Sequence, residues 1–358
     1  MKTLLLFASL LVSSFCSKAQ TAENIIIITT DGFRWQEVFN GMDSSLANDN
    51  RFNQGDSSYI FKKYWSENVF ERRKKLMPFL WSVVEQKGQL YGNRTHGNNV
   101  DNANPFWFSY PGYSEIFTGF ADTLINSNAY PPNPNSNLLE FLDNLPAYKN
   151  RIAAFGAWDA FDRILNQPRN KLPVFSAFDT FGGSKPNATE KIINQLSKDS
   201  YHPFGEGECL DVFTHYAAFD YLKNKKPKVF YIAYGETDEW AHIGHYKDYL
   251  DAAAMVDKWI REIWEFIQSD PQYKNKTALF ITVDHGRGLK DQWTDHYSSI
   301  PHSNEIWFAA MGPGVTKKGE VKSAQQHYQK QFAQTIANML GQHFKCEHAV
   351  AEKIDINN

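Results

Sequence analysis

The sequence predicts an α/β fold, doubly wound, with a mostly parallel central sheet and helices on both faces. Two patterns predict it: short unbroken apolar runs, and amphipathic stretches placed between and after them. The runs span residues 24–29, 151–155, 228–233, 278–283 and 305–310 and are rich in Ile, Val, Phe and Ala. A run without alternation is what a strand covered on both faces needs, so each is read as a buried parallel strand. Residues 77–87, 210–223, 246–268 and 325–340 repeat their apolar residues with a helical period. The Pro- and Asn-rich stretch 130–135 reads as a loop.

A chain of 358 residues that is 42% hydrophobic can bury a large core. Its 37 Lys+Arg against 40 Asp+Glu leave a formal net charge of -3, and no basic cluster marks a nucleic-acid partner. The run 71–75 reads as a solvated helix face. The first residues follow a different logic. Lys2 precedes an apolar run at 4–12, and small and polar residues lead to Ala19. A charged start, a short apolar stretch and a small-residue site describe a signal peptide over 1–19, cleaved after Ala19. The run falls short of the roughly 20 residues a membrane span needs. Bulky Phe15 before Cys16 speaks against a lipidated cysteine there. The expectation is one domain over 20–358, exported to the periplasm or beyond, without stable membrane insertion. Cleavage leaves Cys209 and Cys346, too far apart in sequence to resemble a zinc-thiolate site, so any metal falls to His and carboxylates.

The polar residues that stand out follow the strands. Asp31 comes directly after the run ending in Thr30, Asp238 and His242 follow the run at 228–233, and Asp284 and His285 follow Val283. In open α/β sheets, ligands collect beyond the carboxyl ends of the strands. One Asp at a strand end is an ordinary turn or cap residue. Three strands each delivering carboxylate, or carboxylate with imidazole, fit a zinc site better than capping. The stretch 104–119 reads as a loop entering a helix, which could place the hydroxyl of Ser109 or Ser114 beside an anion.

Four motifs occur in order: Asp31-Gly32-Phe33-Arg34, Ser109-Tyr110-Pro111 running on to Thr118-Gly119, Asp238 with His242, and Asp284-His285-Gly286. Together they resemble the type I phosphodiesterase and nucleotide pyrophosphatase branch of the alkaline phosphatase superfamily. The resemblance covers nearly all of the chain beyond the leader. It implies an alkaline phosphatase-like catalytic domain that cleaves a small phosphate ester, monoester or diester, with two Zn²⁺ ions. Carried over by position, Asp31, Ser109, Asp284 and His285 would hold one zinc, and Asp238 and His242 the other. Ser109 would be the nucleophile, since it lies two residues before Pro111 and ten before Gly119. The last ligand is His296 or His302, with His296 favoured by its distance from the strand ahead of Gly312-Pro313. His245 is not called upon.

Two departures from the family pattern matter. The family's phosphate-binding Asn is replaced by Gly112, which leaves Arg287 as the favoured donor and Asn104 and Asn128 behind it. The sulfatase signature needs Arg where this chain has Tyr113, which argues against a formylglycine sulfatase. The alternatives are a phosphotransferase or phosphoglycerate-mutase-like enzyme, an exported binding protein without turnover, and a structural zinc protein. Structural zinc sites are normally closed and often rich in thiolate.

Overall fold

A computed structural model describes residues 21–357; the leader expected at 1–19 lies outside them. The described residues form a mixed α/β fold, in which helices flank a large, mostly parallel sheet. Its eight strands are β1 (Asn24–Thr30), β2 (Gly88–Tyr91), β4 (Ile152–Gly156), β5 (Val174–Ser176), β6 (Val229–Tyr234), β7 (Thr277–Thr282), β9 (Phe308–Met311) and β10 (Gly319–Glu320). Their order is β10-β2-β9-β7-β1-β6-β4-β5. A second sheet joins β3 (Asn98–Asp101), β8 (Glu305–Ile306) and β11 (Gln325–Tyr328) in the order β11-β3-β8.

The middle of the main sheet follows the sequence pattern. All seven residues of β1 are buried, and the strand pairs in parallel with β6 and β7, Ile25 opposite Val229 on one side and Ala278 on the other. Each such Ile, fully buried, contributes about 1.5–3 kcal/mol through lost apolar surface. Long helices at Asp211–Lys225 and Tyr246–Ser269 cover the sheet close to where the periodicity puts them.

Three expectations are corrected. The run at 305–310 is not one parallel strand: it splits at Trp307 into β8 and β9, and β9 runs antiparallel to β7 and β2. A run buried on both faces does not carry its own direction. Residues 325–328 are not helical but form an edge strand parallel to β3, and the helix begins at Phe332. Within 77–87 the turns widen to a π-helix over Leu80–Val84, where buried Asp257 accepts the Phe79 and Leu80 N–H groups. No helix among the described residues is long and apolar enough to cross a membrane.

Candidate metal centre

Three neighbouring strands deliver the site. Past β1 the chain turns through Asp31 and Gly32. Past β6 the helix Glu236–Ile243 carries Asp238 and His242 one turn apart, and past β7 come Asp284 and His285. Because β6, β1 and β7 lie side by side, these residues converge although Asp31 lies about 200 to 250 positions before the others.

They form two adjoining clusters, Asp31 with Asp284 and His285, and Asp238 with His242 and His296. Within each cluster the ligand atoms all lie within 4.8 Å of one another. His285 Nε2 stands 3.2 Å from Asp31, 3.3 Å from Asp284 and 3.8 Å from Asp238, so it joins the two. Ser109 opens the helix Ser109–Thr118, and its Oγ is 3.4 Å from His285 Nε2.

The residues fit metal. His285 Nδ1 donates to the Gly286 carbonyl and His296 Nδ1 to the Trp107 carbonyl, which turns each Nε2 lone pair into the site. His242 Nε2 and His296 Nε2 face one another at 3.0 Å, as two ligands of one ion do. Asp31 Oδ1 and Asp284 Oδ2 are buried without a hydrogen-bond donor. Burial raises both of these acids, and so does a neighbouring carboxylate, Asp238 for Asp31 and Asp31 for Asp284. Burial pushes His285 down, yet Asp284, Asp31 and Asp238 outweigh it and hold the imidazole at about 9. The site therefore calls for positive charge, which divalent cations supply while leaving the imidazoles neutral.

Residues 211–344 match the Metalloenzyme superfamily. No curated protein matches the chain in sequence. Among solved structures, the lipoteichoic acid synthase LtaP from Listeria monocytogenes is similar, with a TM-score of 0.57 at 13% identity over 95% of this chain and 76% of that one. The alkaline phosphatase PafA gives 0.59 at 11% identity over 95% of this chain and 100% of that one. BT1596, a 2-O GAG sulfatase, gives 0.56 at 15% identity over 94% and 73%. The fold is alkaline phosphatase-like. The resemblance to the alkaline phosphatase superfamily thus holds in fold across the described chain, and residues 211–344 carry the sequence pattern of the Metalloenzyme superfamily.

The paired candidates differ in where the structure places them. His296 is 2% exposed and inside a cluster, whereas the His302 side chain is 42% exposed and bonded to Glu305. Ser114 lies in the helix interior, where its Oγ accepts from Asn133. His245 pairs with Asp248 and stacks on Trp240, outside both clusters. Cys209 and Cys346 are free thiols.

Arg287 lies beside the clusters. Its guanidinium is fully buried and bonds Asp238 and the Trp293 and Thr294 carbonyls. Each of its three nitrogens has a partner within the protein, and the guanidinium thereby ties Asp238 to the His296 loop. Arg287 is also a main reason Asp238 stays well below the usual carboxylate range despite its burial. Asn104 is committed too, to Glu115 and to the Phe106 and Trp107 N–H groups. Asn128 Oδ1 accepts from Tyr110 N in the first turn of the Ser109 helix, which leaves its amide nitrogen as the remaining donor of the three candidates.

Gly112 now has a physical reason. A Cβ there would overlap the Asp284 carbonyl oxygen, which Asn102 and Gln329 hold in place from the other side. The Ser109 helix can lie this close to the ligand loop only without a side chain. Gly112→Ala is expected to cost about 1–3 kcal/mol in denaturant unfolding, the usual range for overpacking, and to lower turnover by moving Asp284. A variant with the parent's stability and activity would show that the loop yields.

Several residues of the site were not singled out in the sequence. Tyr113, one turn after Ser109, donates its hydroxyl to Asp31, and its i,i+4 spacing from Ser109 was a readable signal. Glu115 accepts from the N–H groups of Ala103, Asn104 and Lys330 and so ties the Ser109 loop to its helix. Glu208 and Glu239 add carboxyls behind the clusters; burial, with neighbouring acids, pushes both up, Glu239 to about 7. Nothing in the local pattern around Glu208 marks it.

Proposed function

We propose that this protein is an exported, two-zinc phosphohydrolase, a single catalytic unit over 20–358, in which Ser109 attacks phosphorus. The observation that carries this reading is the position of the Ser109 hydroxyl, at a helix start and 3.4 Å from the imidazole that joins two metal-ligand clusters. Asp31, Asp284, His285 and Ser109 would hold one ion, and Asp238, His242 and His296 the other. Bound there, two zinc ions would lower the pKa of a coordinated hydroxyl and neutralise charge on the entering and leaving oxygens. The chain's part is positioning. Tyr113 orients Asp31, Arg287 orients Asp238, and the Trp107 carbonyl fixes the tautomer of His296. Ester cleavage then leaves a phosphoseryl group that water removes, regenerating the Ser109 hydroxyl.

The charge around the site favours a diester over a monoester. A monoester dianion calls for an additional free cation, and the basic groups nearest the nucleophile are committed. Arg287 is bound to Asp238, and Arg163 to the Asn128 and Tyr130 carbonyls. We expect kcat/KM for an aryl phosphodiester to exceed that for the matching monoester and for the aryl sulfate. A sulfate or monoester turned over faster than the diester would remove this preference. Export rests on Lys2, the apolar run and Ala19. The intact mass of natively expressed protein should correspond to a chain beginning at or near Gln20, and a lipid-modified Cys16 terminus would contradict it.

A further inference from the structure

A series of aromatic rings leads from the metal-ligand clusters toward the surface. His285 stacks on His296 with centroids 4.0 Å apart, and His296 on Tyr297 at 4.4 Å. Tyr297 meets Phe108 at 5.4 Å and Phe108 meets Phe106 at 6.0 Å. Two histidines therefore form the inner end, and three uncharged rings the outer end. Phe108 is buried, Phe106 is half-buried and Tyr297 is 44% exposed. A large aromatic ring left this open beside a buried site is out of keeping with a core role.

The backbone holds the arrangement at a cost. Tyr297 has φ of 100° and Trp107 has φ of 55°, both in the left-handed region that residues with a side chain avoid. The Tyr297 N–H donates to the Trp107 carbonyl at 3.3 Å, and the same carbonyl accepts from His296 Nδ1. One strained contact thus sets both the metal-facing imidazole and the ring next to it. Strain of this kind gathers where a site needs a geometry the chain would not otherwise choose.

We propose that Tyr297, Phe108 and Phe106 form a specificity subsite that stacks a planar aromatic leaving group of the substrate. The proposal rests on the phosphohydrolase reading. There, Asp238, His242 and His296 would hold the ion that neutralises the departing oxygen, and a group leaving on that side would lie alongside Tyr297, which stacks on His296. The rings carry no charge, which matches a neutral aryl group and not a second phosphate or a sugar acid. Offset and edge-on ring contacts reward an aromatic guest over an alkyl one of similar size.

The test uses two phosphodiesters whose leaving alcohols have matched acidity, one aryl and one polyfluoroalkyl, so that chemistry alone does not separate them. The parent protein should prefer the aryl ester. Phe106→Leu and Tyr297→Ala should each lower the aryl-to-alkyl ratio of kcat/KM by about tenfold, mostly through KM. Tyr297→Phe, which keeps the ring, should retain the ratio. Phe106→Leu keeps apolar bulk at a half-buried position, so folding of that variant does not depend on the ring. A ratio unchanged in both ring-deleting variants, or an equal fall for both esters, would overturn the subsite while leaving the hydrolase reading intact. A parent protein that turns over neither ester would overturn the hydrolase reading and the subsite with it.

Discussion

Ser109→Ala is expected to lower phosphoester turnover by roughly a thousandfold or more, because phosphoryl transfer through the chain needs a covalent acceptor at that position. Ser109 is 6% exposed at the start of its helix, and removing one oxygen leaves the packing of Tyr110 and Tyr113 untouched. Fold and zinc content should therefore survive, as checked by circular dichroism and elemental analysis. Ser109→Thr should retain measurable activity, since the hydroxyl stays within reach of His285. Ser114→Ala, which breaks only the bond from Asn133, should cost far less. Retention of activity in Ser109→Ala, together with its loss in Ser114→Ala, would reassign the nucleophile.

Removal of metal is expected to abolish turnover and to lower the melting temperature. The purified protein should contain about two zinc ions per chain. Without them, Asp31 and Asp284 share a buried space in which the His285 imidazole is the nearest cation to both. Their folded pKa values are raised, so each contributes stability that is fully present below the unfolded carboxylate pKa of about 4 and declines as pH rises toward the folded value. Chelated protein should accordingly lose stability between acid and neutral pH, and added zinc should restore it. Three imidazoles among the ligands favour zinc over calcium or magnesium, which prefer oxygen. An active preparation containing one calcium and no zinc would remove the two-zinc reading.

The local code was enough to find the strands that matter. The Asn24–Thr30, Val229–Tyr234 and Thr277–Thr282 strands are unbroken apolar runs, and burial on both faces is a property each run carries alone. Their ends then placed Asp31, Asp238, Asp284 and His285 at one rim of the sheet, and the Ser109 motif marked the hydroxyl. Direction and partnership were not local. Phe308–Met311 runs antiparallel because its chain returns from the His296 loop, and Gln325–Tyr328 is a strand only because Asn98–Asp101 offers it an edge.

Side-chain orientation was likewise left to packing. Arg287 sits two residues past His285, as a phosphate donor could, yet the guanidinium turns to Asp238 because that carboxylate and two loop carbonyls take up its donors. Glu208 reaches the rear of the site from a loop whose sequence has no period to read. What the sequence by itself determined is the middle strands β1, β4, β6 and β7 and the residue types at their ends, since hydrophobic period and chemical identity are written residue by residue. The tertiary structure alone decided that β6, β1 and β7 lie side by side, that His296 and not His302 enters the site, and that Gly112 must lack a side chain. Each of those depends on contacts between segments far apart in the chain, whose energies arise only once the sheet has assembled.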